Sequence, residues 1–314
     1  MLATLTIFGW IRFAISWIIL LWGIREFVIE YYRYKCKKAY LRGEIDSIEK
    51  AANKVLKIRP NDCPGLAYKG LFYNYKGQYG KVQKIGEKIL GIANKKKNER
   101  WQIYALNFLS NFYCEYGDLG KAEHAVNEAL NIAKKSNIKK ETSRIYNSFG
   151  LIYMKREEWE NAEKMFDKAI KSFSEKDIRE LAKIYCNFGI NCRLCGDLVK
   201  SEEMLNEALE INEKYNLLGQ LAVNYAEIAT VCVLKGEIEK GQELYEKSLA
   251  ISESKGMIKQ SATQYCNLGL LYRKMGSREK AKEYWLKAKC LYEKMELTRE
   301  VEKIQQKIDD SEFE

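Results

Sequence analysis

A small residue recurs at a nearly constant interval along this chain of 314 residues. It stands inside segments whose apolar residues repeat with helical spacing, such as residues 147–170, NSFGLIYMKREEWENAEKMFDKAI. Successive positions lie 40, 39, 40 and 40 residues apart and are occupied by Ser110, Gly150, Gly189, Ala229 and Gly269. An earlier, shorter step reaches Gly70. A glycine inside a helix costs about 1 kcal/mol relative to alanine, so its repetition requires a structural reason.

Close packing between paired helices supplies that reason. Alanines follow the small position by twelve residues, where a second helix would face the first, at Ala122, Ala162 and Ala281. We therefore expect each small residue to touch the second helix, with room for no more than a methyl group. Tyrosines stand three residues after the small position, at Tyr73, Tyr113, Tyr153 and Tyr272. With two prolines and a composition rich in helix-forming residues, the chain is predicted to be all-α.

This pattern resembles the tetratricopeptide repeat (TPR) family. The order is a small residue, a tyrosine, a turn glycine, and then alanine, a bulky aromatic residue and alanine. It is clearest in Gly150-Tyr153-Ala162-Phe166-Ala169 and in Gly269-Tyr272-Gly276-Ala281-Trp285-Ala288. The period near 40 residues is similar to that of the long-repeat subtype found in kinesin light chain. The resemblance implies an α-solenoid, a right-handed superhelix of helix-turn-helix repeats, whose concave groove binds protein segments.

The resemblance also divides the chain. Residues 29–62 match a degenerate first repeat, in which Cys36 takes the small position, and residues 63–296 hold six repeats. Residues 297–314 are predicted to form the C-terminal capping helix and tail that an open solenoid end needs. Residues 1–28 lie outside the repeats.

The segment before the repeats predicts a membrane anchor. Residues 5–24, LTIFGWIRFAISWIILLWGI, contain one charged residue, Arg12, and are apolar on every face of a helix. At 1.5 Å per residue they span about 30 Å, the thickness of a hydrocarbon core. We therefore predict that residues 1–28 form a single transmembrane helix. A buried or interfacial N-terminal helix is the alternative.

Charge gives the expected orientation. Residues 1–100 contain 20 Lys and Arg residues and 8 Asp and Glu residues. Residues 101–314 contain 33 Lys and Arg residues and 35 Asp and Glu residues, so the excess of positive charge belongs to the N-terminal third. The cations follow the apolar segment, so the positive-inside rule predicts an outside N-terminus and a cytoplasmic repeat domain at the cell membrane. Nine cysteines without framework spacing suit a reducing compartment. The basic third permits contact with anionic lipid, and nucleic acid is not an expected partner.

Catalytic and cofactor motifs are missing from the sequence. The single histidine, His124, is expected to face solvent, and the CxxC of Cys192 and Cys195 has no second pair to complete a zinc site. No glycine-rich phosphate loop is present. We predict a chain without enzymatic activity, cofactor or metal.

The expected groove is lined by amide and cationic side chains. The repeat register places on the concave side Asn107, Asn111, Arg144, Asn147, Lys183, Asn187, Arg193, Asn267 and Arg273. Asparagine amides can bind the backbone of an extended peptide, while Arg and Lys favour carboxylates. An ordinary solvated helix face is the alternative interpretation.

Two functions are compatible with such a chain. The first is a membrane-tethered adaptor or scaffold that binds a cytoplasmic protein or peptide segment, acidic in character, in the concave groove. The second is a peptide-responsive sensor or regulator whose superhelix changes shape when a ligand binds. A scaffold on a lipid surface, using the basic N-terminal third, is the weaker third possibility.

Overall fold

The computed structural model describes residues 2–174 and 178–313. Side chains are described from residue 10 to residue 310, apart from residue 12 and residues 175–177. The described chain is an all-α helical repeat solenoid, as the sequence predicts. A short 3-10 helix, Lys139–Glu141, precedes the α-helix that begins at Thr142. The helices are α1 Leu2–Leu41, α2 Ile45–Ile58, α3 Cys63–Tyr75, α4 Tyr79–Lys95, α5 Glu99–Glu115, α6 Leu119–Lys135, α7 Thr142–Lys155, α8 Trp159–Lys171, α9 Ile178–Leu194, α10 Leu198–Lys214, α11 Leu218–Lys235, α12 Ile238–Ser254, α13 Ile258–Lys274, α14 Arg278–Lys294 and α15 Thr298–Phe313.

Successive helices pair from α1 with α2 to α13 with α14, and α15 packs on α14. Glycines with φ between 70° and 93° follow several of the first helices, at Gly77, Gly117, Gly196, Gly236 and Gly276. A left-handed residue there ends the helix and turns the chain toward its partner. The division into an anchor, a degenerate repeat, six repeats and a cap stays a prediction.

The small positions lie where paired helices approach most closely. A Cβ atom on Gly150 would lie 2.5 Å from Cε1 of Phe166, and one on Gly189 would lie 2.6 Å from Cγ of Leu205. Trp285 fills the corresponding space against Gly269. The expectation of room for a methyl group is therefore wrong at these glycines, because a large residue sixteen positions later already occupies it.

At two other small positions, Ser110 and Gly70, different contacts fill the space between the paired helices. Ser110 is fully buried, and its hydroxyl donates a 2.8 Å hydrogen bond to the carbonyl oxygen of Ala122 on the second helix. At Gly70 the space is taken by Phe108, whose Cζ would lie 3.0 Å from an added Cβ. Ala162 and Ala281 are fully buried. Beside them, Tyr153 is partly buried and Tyr272 is almost fully buried.

The two ends of the solenoid touch each other. Met257, in the turn before α13, is fully buried in a hydrophobic cluster with Ile45, Ile48 and Phe72 of the first two helix pairs. Met295, after α14, packs against Gly77. The superhelix is therefore closed into a ring, in contrast to the open end that the sequence suggests.

The N-terminal part of α1 projects beyond its packed portion. Burial begins at Ile29, and residues 10–24, except residue 12, are all exposed. The predicted transmembrane segment 5–24 includes residues 5–9 and 12, whose side chains lie outside the described part. Within the described part, no helix combines the length and the apolar character needed to cross a membrane, so the predicted anchor lacks support.

Candidate functional site

A half-open cavity of about 280 Å³ lies between the two halves of the closed ring. Helices α1, α3 and α5 form one wall, and α7, α9 and α11 form the other. We call this space the inner cavity. Its lining combines apolar, aromatic, amide and charged side chains, so it has the mixed character typical of a ligand site.

Aromatic rings form the N-terminal wall of the inner cavity. The rings belong to Tyr40, Tyr68, Tyr104 and Phe108. Tyr104 and Phe108 are stacked with 6.3 Å between their centroids, and the guanidinium of Arg179 lies 5.5 Å from the ring centre of Tyr40. Burial raises the pKa of Tyr104, so its hydroxyl stays protonated and remains able to donate a hydrogen bond.

Two buried amide oxygens in this cavity have no hydrogen-bond partner among the described residues. They are Oδ1 of Asn107 and Oε1 of Gln220. The amide of Gln220 is fixed in position because its Nε2 donates a 3.1 Å hydrogen bond to the carbonyl oxygen of Arg179. A buried acceptor without a partner costs about 1–3 kcal/mol. Both oxygens are therefore suited to accept hydrogen bonds from a ligand.

The charged lining is largely paired. Nη1 of Arg144 lies 3.0 Å from Oε2 of Glu141, and its Nε lies 3.3 Å from Oε2 of Glu180. Lys183, one turn along α9 from Glu180, is half-buried in the lining and forms no ion pair within the described ranges. The cavity therefore offers one ammonium group to an incoming carboxylate.

Four of the nine predicted groove residues line the inner cavity: Asn107, Asn111, Arg144 and Lys183. Asn111 is held in place because its Oδ1 accepts a 2.7 Å hydrogen bond from the hydroxyl of Ser148. The repeat register therefore brings four of the nine predicted residues to one site, on α5, α7 and α9. Whether these residues bind a partner stays a prediction.

The other five predicted residues lie elsewhere, and each of them takes part in an interaction within the protein. Nδ2 of Asn187 donates a 2.9 Å hydrogen bond to Oδ1 of Asn147, which is almost fully buried. Arg193 pairs with Glu227 at 3.0 Å. Asn267 donates to Oε1 of Gln264 at 3.3 Å, and Arg273 is half-buried on α13. The expected wall of free asparagines is thus largely replaced by amides that bond to one another.

Sequence reasoning missed the residues that ring closure adds. Tyr40 lies near the end of α1, Arg179 in the first turn of α9 and Gln220 in the first turn of α11. None of them falls on the predicted wall, and no local pattern relates them. Arg179 and Gln220 come from neighbouring repeats, and contact between distant repeats brings Tyr40 to the same cavity.

Metal binding has no visible basis in the described ranges, where no group of three or more His, Cys, Asp or Glu side chains is placed to hold an ion. Cys192 is buried in the core, and burial raises its pKa to about 12, while Cys195 is exposed. A thiol with such a raised pKa is a poor metal ligand or nucleophile at neutral pH.

Comparison with protein families identifies the repeats. Two tetratricopeptide repeat models match, one at residues 141–214 and the other at residues 263–294. The chain therefore contains tetratricopeptide repeats, as the small-residue pattern predicts. Such repeat proteins are generally non-enzymatic scaffolds for protein–protein interaction. Comparison with curated protein sequences gives no match.

Solved structures share this solenoid at low sequence identity. A Rap protein complexed with Competence and Sporulation Factor aligns with a TM-score of 0.64 and 13% identity over 92% of this chain and 86% of that chain. A Signal Transduction ATPase with Numerous Domains (STAND) protein from Pyrococcus horikoshii, which has a tetratricopeptide repeat sensor, aligns with a TM-score of 0.58 and 16% identity. That alignment covers 90% of this chain and 50% of the STAND protein. BtubC from P. vanneervenii aligns with a TM-score of 0.51 and 19% identity, over 71% of this chain and 92% of BtubC. At sequence identities of 13–19%, the structural similarity establishes that the fold is shared and nothing further.

Proposed function

We propose that this chain is a scaffold that binds a short acidic segment of a protein partner in the inner cavity. The observation that carries the proposal is the pair of buried, unpartnered acceptors, Oδ1 of Asn107 and Oε1 of Gln220, in a cavity that also holds Lys183. Backbone N–H groups of a peptide are the donors that such acceptors require. The ammonium group of Lys183 supplies the preference for a carboxylate.

The size of the inner cavity limits what it encloses. Ligand sites commonly occupy about 300–1,000 Å³, and this cavity of about 280 Å³ lies at the lower end. It therefore takes a few residues, a chain end or an acidic side chain with its backbone, while the rest of the partner lies outside the ring. Hydrogen bonds to the two free oxygens remove the penalty for leaving them unpaired, which contributes to affinity.

A set of fluorescently labelled tetrapeptides tests this proposal. Peptides with acidic residues or a free C-terminal carboxylate should bind, and neutral amidated peptides should bind weakly. Gln220→Leu and Lys183→Met should each weaken binding by about tenfold or more, because each removes one buried or charge-assisted hydrogen bond.

Lys84→Met is the matched control, since Lys84 is an exposed lysine on α4 away from the inner cavity. Fluorescence anisotropy measures affinity, and circular dichroism checks that each variant is folded. Acidic peptides that bind the two cavity variants and the control equally tightly would place the binding site elsewhere.

A second function, a ligand-responsive sensor, is favoured by the position of the cavity. Tyr40 and Gln220 face the same space from opposite halves of the closed ring, so a ligand there contacts both. A ligand with different affinity for closed and open rings shifts the balance between them. Small-angle scattering with and without the tightest tetrapeptide tests this; an unchanged radius of gyration argues for a passive scaffold.

We further propose that α1 attaches the scaffold to the cell membrane as a single-pass anchor, with the N-terminus outside and the repeats in the cytoplasm. Support comes from the exposed apolar side chains of α1, among them Trp10, Trp17 and Trp22, and from the cations that follow them. The scaffold acts without catalysis, cofactor or nucleic acid. Flotation of the full chain with neutral phosphatidylcholine vesicles tests the attachment; a chain that fails to float with them is not attached.

A further inference from the structure

A basic groove of about 380 Å³ lies between α1 and α2 at the N-terminal end of the solenoid. Its cations are Lys35 and Lys38 on α1, Arg42 directly after α1, and Lys50 and Lys54 on α2. One carboxylate, Glu44, also lines it, 3.9 Å from Arg42. Within the described ranges, Lys38, Lys50 and Lys54 form no ion pair, so most of the positive charge of the groove is uncompensated.

Solubility alone does not explain a groove lined by five cations and one carboxylate. The end of a solenoid needs a polar outer face, but that face can carry both charges. The opposite end shows this in α15, where the charged residues before residue 311 are Arg299, Glu300, Glu302, Lys303, Lys307, Asp309 and Asp310. The N-terminal end departs from this balance and points to an anionic ligand.

The α1 side of the groove continues directly into the apolar part of the same helix. Residues spaced by three or four lie on one helix face. Continuing from Lys35 toward the N-terminus, this face consists of Tyr31, Val28, Ile24, Leu21, Trp17, Phe13 and Trp10. Six of these seven side chains are exposed, with Trp10 at 73% and Leu21 at 59%. One helix face thus runs from uncompensated cations to exposed aromatic and aliphatic side chains.

We infer that this face and the basic groove together bind an anionic membrane surface, with phospholipid phosphates in the groove and the apolar stripe of α1 among the acyl chains. Tyr31, between the apolar segment and Lys35, suits the interfacial region, where rings with an apolar body and a polar edge are favoured. The lysines of α2 widen the cationic surface beyond what one helix presents. This site is separate from the inner cavity.

Vesicle flotation of the full chain tests the inference. Wild-type protein should bind vesicles of phosphatidylcholine mixed with phosphatidylserine far more tightly than phosphatidylcholine alone, and added salt should reduce the difference. The quadruple variant Lys35→Gln/Lys38→Gln/Lys50→Gln/Lys54→Gln should lower binding to the anionic vesicles by about 100-fold or more. Each cation near an anionic surface contributes roughly fivefold. Binding to neutral vesicles should be unchanged.

A matched control removes the same charge elsewhere. Lys134 and Lys135 at the end of α6, with Lys139 and Lys140 in the short 3-10 helix before α7, are exposed and lie away from the basic groove. Changing these four to Gln should leave anionic vesicle binding within a few-fold of wild type. Equal losses in both quadruple variants would mean that net charge, not the groove, governs binding, and would overturn the inference.

Two further outcomes would also overturn it. Saturable binding of inorganic phosphate to the wild type but not to the groove variant, without any preference for anionic vesicles, would assign the groove to a dissolved phosphate ligand. Equal binding of wild type to neutral and anionic vesicles would leave the groove without a role at membranes. Neither outcome bears on the inner cavity, because tetrapeptide binding is measured without lipid and with different variants.

Discussion

Adding one methyl group to the chain should have opposite effects at two helical glycines. Gly150 and Gly91 both lie inside helices, but a Cβ on Gly150 would meet three ring atoms of Phe166 at 2.5–2.8 Å, whereas one on Gly91 would meet nothing within 4 Å. Ordinary contact begins near 3.4 Å, so the Phe166 ring would have to move by almost 1 Å. That ring is fully buried and stacked on Phe188 at 5.7 Å.

The magnitudes follow from these contacts. Replacing glycine by alanine in a helix gains about 1 kcal/mol of helix propensity, which Gly91→Ala should show in full. Overpacking a buried ring costs about 1–3 kcal/mol, so Gly150→Ala should lower the free energy of unfolding by about 1 kcal/mol. The two variants should therefore differ by about 2 kcal/mol.

Urea unfolding followed by far-UV circular dichroism measures the difference, provided that the slopes with denaturant agree. Phe166→Leu in the Gly150→Ala background serves as a test of cause, since a smaller side chain should recover part of the loss. If Gly150→Ala is as stable as Gly91→Ala, the helices are not in close contact at Gly150 and the packing argument is wrong.

Two other predictions concern ring closure and thiol reactivity. Met257→Ala removes a fully buried side chain from the cluster that joins the two ends, so it should destabilise the chain by about 2–5 kcal/mol and increase the radius of gyration without loss of helix. Met204→Ala, at a half-buried position on α10, is the control, and an unchanged radius in Met257→Ala would mean that other contacts suffice. Iodoacetamide should label the exposed Cys195 and Cys290 first, whereas Cys192, whose pKa burial raises to about 12, should react only after unfolding. Peptide mass spectrometry measures the order, and early labelling of Cys192 would show that its helix pair opens readily.

The repeated fold was predictable because its cause is local and recurs. Gly150, Gly189 and Gly269 mark places where two adjacent helices touch, and the interval between them reports the length of one pair. The residue that fills each space was not predictable, because it depends on how the helices cross. At Gly70 it comes from Phe108 of the following pair, since Gly86, sixteen positions later, has no side chain.

The candidate site was predictable only in part, for a different reason. Asn107 and Lys183 follow from repeat register, which places them on the inner side of the first helices α5 and α9. Gln220 and Tyr40 join them because the two halves of the solenoid meet, and such long-range contact has no periodic signature. The paired amides of Asn147 and Asn187 show a further limit, because register gives the side of a helix but not the hydrogen bonds formed there.

Contact between the first and last repeats changes how such an array can fold and evolve. In an open solenoid each repeat depends only on its neighbours, so stability is a nearly one-dimensional sum and repeats can be gained or lost. Here Met257 completes the core of the first two helix pairs, so unfolding of either end removes contacts from the other. Inserting or deleting one helix pair between Phe72 and Met257 would rotate these ends out of register. The number of repeats is thereby fixed by geometry, and fraying from the ends, the usual first step in the unfolding of a repeat array, is opposed by a core that both ends share.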